Sequence, residues 1–123
     1  MDIVNRERTE AFITKDGSEI RELLAHRNSG IRNQSLAEAR VAPGATTTLH
    51  YHPQTEEIYY VLSGNGEMRI AEERRTVGPG DAIAILPGQA HQITNTGNET
   101  LVFLCCCAPG YEHTDTVLVE ENA

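Results

Sequence analysis

His50 and His52 stand two residues apart in the run LHYHPQTEEIYYV, and in an extended chain that spacing sends both imidazoles out of the same face. Their Cβ atoms would lie roughly 6.5–7 Å apart, near enough for the two rings to converge on one ion. Pro53, Gln54, Thr55 and Glu56 turn the chain, so Glu57 opens the next strand and brings a carboxylate beside the imidazoles. His91 follows the turn PGQA and opens the run HQITN. Only a fold that closes on itself could deliver His91 to the same place as a fourth donor.

Two imidazoles and one carboxylate suit Fe(II), Mn, Zn, Ni or Co and leave coordination positions open to water or substrate. A solitary strand histidine is more often a hydrogen-bonded packing or surface residue than a ligand, and His26 and His113 are read that way.

The elements that must position these donors are strands. Glycine and proline concentrate at VAPGA, LSGNG, VGPGD, LPGQA and CAPGY, between short runs rich in Val, Ile, Leu, Tyr and Thr. Strands are expected near residues 10–13, 19–24, 35–41, 46–52, 57–63, 66–70, 74–77, 82–86, 90–95 and 101–108, with no convincing helix. The helix-forming cluster NQSLAEAR lacks an apolar period and is read as strand. YYVLSGNGEMRI reads as a hairpin, because its glycine-bracketed turn can take positive φ cheaply. The tails 1–8 and 120–123 look dispensable to a core.

GATTTLHYHPQTEEIYYVLSG, Gly44 to Gly64, resembles the first motif of the cupin superfamily at every fixed position: glycine, His-x-His, glutamate, glycine. GDAIAILPGQAHQITN, Gly80 to Asn95, is similar to the second cupin motif, with Leu86 where a proline is expected. The resemblance implies an all-β cupin double-stranded β-helix, or jelly-roll barrel, forming one domain over residues 1–123. Its core would span about 33–108, with N-terminal strands in 9–24 flanking it. The resemblance also implies that His50, His52, Glu57 and His91 bind one divalent transition-metal ion. Glu56 competes with Glu57 for that role; the step to Gly64 and the shared parity with Tyr59 and Val61 favour Glu57.

Three neutral imidazoles and one carboxylate around a divalent ion leave a net positive site, which attracts anionic or enolic oxygens. The expected ligand is a small oxygen-rich molecule. Tyr59 shares the inward parity of Glu57 and is a candidate for orienting a substrate, against the plain alternative of an aromatic filling the barrel. Cys105 and Cys107 share one face of the last long strand. Cys105 is a second candidate for chemistry, against inert packing, and no neighbouring cation in sequence would lower its pKa. The scaffold admits an enzyme, with dioxygenase- or sugar-isomerase-like chemistry, or a non-catalytic binding or sensor protein, or an ion that is chiefly structural.

At 123 residues and 39% hydrophobic, the chain has enough apolar surface for one core and no run approaching the ~18 residues of a membrane span. Its net charge of −8 opposes nucleic acid and anionic membrane surfaces as partners. The start lacks a secretory pattern and the three cysteines are consecutive, which predicts reduced thiols and a cytoplasmic location. IYYVL and AIAIL are apolar on both faces, so the outer face should be covered as well; a homodimer is expected.

Overall fold

In the computed structural model, which describes residues 1–121, the chain folds as two antiparallel sheets. The six-stranded sheet runs in the order β1 (Phe12–Ile13), β2 (Glu19–Leu24), β3 (Ser35–Val41), β10 (Leu101–Ala108), β5 (Glu56–Ser63), β8 (Ala82–Ile85). The five-stranded sheet runs β11 (Val117–Leu118), β4 (His50–Tyr51), β9 (His91–Asn95), β6 (Gly66–Ile70), β7 (Glu73–Val77).

Strand alternation makes the core. On β5, Glu57, Tyr59 and Val61 are buried while Glu56, Ile58, Tyr60 and Leu62 are exposed. Val41, Val61, Leu101 and Phe103 from the first sheet meet Met68, Val77 and Ile93 from the second, so the apolar core lies between the layers. β10, paired with β3 on one side and β5 on the other, runs through the middle of its sheet and is buried along most of its length.

The NQSLAEAR segment does enter a strand, and the YYVLSGNGEMRI run is a β5–β6 connection whose Gly64 sits at φ +85°. Three differences from the sequence reading have local causes. The expected strand over 46–52 contracts to His50–Tyr51, because Thr46 and Thr47 reach β9 through an isolated bridge and a Thr47-to-Ile93 hydrogen bond. Single-turn 3-10 helices form at Arg6–Arg8 and His113–Asp115, and a further short strand at Val117–Leu118. The N-terminal tail is tied down: Arg6 Nε donates to both oxygens of the buried Glu38 at 3.0 Å, and Asp2 accepts from the Gly30 amide.

Candidate metal centre

β4 and β9 are antiparallel neighbours, and their register sets His50 directly opposite His91. The two rings lie 4.2 Å apart between centroids. His52 leaves the end of β4 on the same face, and the ring nitrogens of His50, His52 and His91 fall within 4.8 Å of one another. Glu57 comes from the opposite sheet, at the start of β5. Its Oε1 lies 3.3 Å from His52 Nε2 and 3.5 Å from His91 Nε2. All four side chains are buried, whereas Glu56 is exposed. Parity along β5 therefore turns Glu57, and not its neighbour, toward the imidazoles.

The far nitrogen of each ring is occupied by the backbone. His50 Nδ1 donates to Thr48 O (2.7 Å), His52 Nδ1 to Asp115 O (3.1 Å) and His91 Nδ1 to Gln89 O (2.9 Å). With an ion bound, a proton held on Nδ1 would leave the Nε2 lone pair of each ring free to be a ligand at the common centre. The 3-10 helix His113–Asp115 serves this arrangement twice, since the Asp115 carboxylate also takes the amides of Gln54 and Thr55 and so fixes the turn between His52 and Glu57.

Two polar atoms are left over. Glu57 Oε1 and His91 Nε2 are buried without a hydrogen-bond partner, although each costs free energy when unpaired. Glu57 Oε2, by contrast, accepts from Cys107 Sγ at 3.2 Å. Burial opposes charge on Glu57, yet His52 and His91 hold its carboxyl down at about 2. Burial, reinforced by His91, keeps His50 below its ordinary range; burial also works against charge on His52, but Glu57 raises it. The donor chemistry, three lone pairs and one carboxylate oxygen turned inward, fits a divalent transition metal.

The centre opens into a cavity of about 50 Å³ between the sheets. Tyr59 lines it, packed on Phe103 at 4.5 Å between ring centroids, and burial pushes its hydroxyl well above its ordinary range. Cys105 lines it too, and burial likewise holds its thiol protonated. His26 and His113 lie elsewhere, on Glu112 and Tyr111 respectively.

Cys107 lines the cavity with Cys105, its companion on that strand face, and Asp16 is a cavity residue that the sequence reading does not single out. Cys107 faces Glu57 across the β10–β5 ladder, a pairing fixed only by register. Asp16 comes from the turn between β1 and β2 and is 8% exposed, with Oδ2 3.7 Å from His50 Nε2. The Asp-Gly pair marks the turn, with Gly17 at φ +92°, but nothing local says that the turn folds inward. The asparagine of the second motif is structural: Asn95 bonds Val41 O, Glu99 O and Gly97 N and locks a loop. Leu86, standing where a proline was expected, gives its amide to Gln89 Oε1, a bond proline lacks.

Comparison with known proteins gives the same grouping. A model of the cupin domain matches residues 37–107. An uncharacterized protein of Methanocaldococcus jannaschii is 51% identical over 111 residues, covering 89% of this chain and 87% of that protein. An oxalate-binding protein of Thermotoga maritima is 33% identical over 86 residues, covering 70% of this chain and 71% of its own. Among solved structures, the polyketide cyclase RemF from Streptomyces resistomycificus superposes with a TM-score of 0.82 at 27% identity, over 99% of this chain and 87% of that one.

Proposed function

The chain belongs to the cupin family, and from that premise we propose a metal-dependent enzyme in which His50, His52, His91 and Glu57 hold one divalent ion and a small oxygen-rich metabolite is the substrate. The observation that carries the metal is the pair of orphaned buried atoms, Glu57 Oε1 and His91 Nε2. A divalent ion held by these residues would give both a partner. Bound there, the ion supplies Lewis acidity to a substrate oxygen.

The substrate's size follows from the cavity. At about 50 Å³, and with roughly 10–15 Å³ for each water, it takes the volume of about three to five waters. That suits a compact diol, enol or hydroxyketone, for dioxygenase- or isomerase-like chemistry. Tyr59, kept protonated by burial, donates a hydrogen bond to the substrate and is not its base. Cys105 is protonated for the same reason and acts as packing beside the substrate.

The neutrality of both Tyr59 and Cys105 favours a second reading, a non-catalytic binding or sensor protein using the same pocket. We extend the proposal to a single cupin domain, present as a homodimer in the cytoplasm, where its three free thiols stay reduced.

Metal analysis tests the common premise. Protein purified without added metal should carry about one first-row divalent ion per chain, and His91→Ala should lower affinity at least about tenfold. Metal-free wild type that also refuses added Fe(II), Mn(II), Zn(II), Ni(II) and Co(II) would sink it. Oxygen uptake or isomer formation from small diols and enols then separates enzyme from binder.

A further inference from the structure

Every charged side chain lining the cavity is acidic: Asp16, Glu22 and Glu57 contribute, and among the described residues no lysine or arginine does. The three differ in their partners. Glu22 is clamped by Arg27, whose Nε and Nη2 donate to its two oxygens at 2.8 and 3.0 Å. Glu57 faces His52 and His91. Asp16 has no cation against it. Its Oδ1 accepts from the amide and hydroxyl of Ser18, at 2.9 and 2.6 Å, and its Oδ2 is left facing His50.

The position of Asp16 is built rather than incidental. The Thr48 amide donates to Asp16 O at 2.8 Å, and Thr48 O in turn takes His50 Nδ1, so one backbone unit fixes both the aspartate and the imidazole it faces. Asp16 Oδ2 lies 3.7 Å from the His50 nitrogen that would hold the ion, and both side chains line the cavity that a ligand would enter.

We propose that Asp16 is a specificity-determining residue that excludes anionic ligands and makes this a site for neutral, hydroxyl-bearing ones. The inference rests on the metal centre proposed above. With Glu57 and Asp16 both present, two carboxylates cancel the charge of a divalent ion. The net positive site expected from the ligand set alone is thereby lost. An incoming anion gains no net attraction and meets Asp16 at close range, where low-dielectric surroundings strengthen repulsion. A neutral polyol or hydroxyketone meets no such barrier and finds the hydroxyls of Thr14, Tyr59, Tyr111 and Thr116 along the wall. This chain therefore departs in ligand charge from its oxalate-binding relative.

The test uses Co(II)-loaded protein and two compact oxygen ligands of similar size, oxalate and dihydroxyacetone, with binding read from the cobalt absorption spectrum. Wild type should prefer dihydroxyacetone. Asp16→Asn should tighten oxalate by about tenfold or more while moving dihydroxyacetone less than about twofold. Equal shifts for both ligands would reduce Asp16 to a packing role, and no shift for oxalate would remove it from selectivity; either overturns the proposal. So would loss of cobalt from Asp16→Asn, which would make Asp16 a ligand to the ion. Failure of wild type to take up cobalt is read before any oxalate is added and strikes the metal centre instead.

Discussion

Glu57 keeps its charge in a buried place because two imidazoles face it, so the metal-free protein should respond to acid through this residue. Its carboxyl sits at about 2, below the ordinary 4.5. A depressed folded value stabilises the native state above the unfolded value and loses that contribution as pH falls from about 4.5 toward 2. In the presence of a chelator, the stability of wild type between pH 5 and pH 3 should therefore fall more steeply than that of Glu57→Gln. The difference is at most about 1.4 kcal/mol per pH unit, one proton's worth, measured as urea midpoints. Identical slopes would mean that the carboxylate is not held by the imidazoles. The facing of His50 and Glu57 was legible from strand parity together with the spacing to Gly64, whereas His52 lies just beyond β4. Asp16 was not legible, because it depends on how a distant hairpin docks, and the pairing of Cys107 with Glu57 was not, because it depends on the register of β10 against β5.

β6 carries a sharper constraint than its composition suggests. Gly66 pairs with Asn95 of β9, and a Cβ built there would stand 2.7 Å from Thr94 O and 3.0 Å from a Leu101 methyl. The first neighbour is backbone and cannot step aside. Gly66→Ala should push β6 off β9 and destabilise by about 1–3 kcal/mol, the usual cost of overpacking a filled interior. Because β9 carries His91, the same variant should also weaken metal affinity. An unchanged urea midpoint would show that the strands can part without cost. At this scale the long strands were readable from alternation and turn residues. β4 was overestimated, since LHYH alternates like a strand while only His50 and Tyr51 find ladder partners. The 3-10 turn at His113–Asp115 was invisible because its role is tertiary, holding His52 and the β4–β5 turn.

The outer faces of the molecule are unequal. Over β3 the N-terminal tail lays Arg6 on Glu38, covering that flank with a charged pair. Over β5 and β8 no such cover exists among the described residues: Ile58, Tyr60 and Leu62 are 50%, 42% and 44% exposed. Ala84 and Ala82 stand beside Ile58 and Tyr60 in the ladder, and β8 is an open sheet edge. A contiguous apolar face ending in an unpaired strand is a liability for a monomer and a ready two-fold contact for a pair. Light scattering at micromolar concentration should therefore give about twice the 13.5 kDa chain mass for wild type. Ile58→Glu with Leu62→Glu should bring it to one chain mass. Both side chains point away from the cavity, so the paired variant should keep the metal stoichiometry of wild type. A wild-type monomer would sink the dimer, and a dimer that survives both glutamates would move the contact to another face.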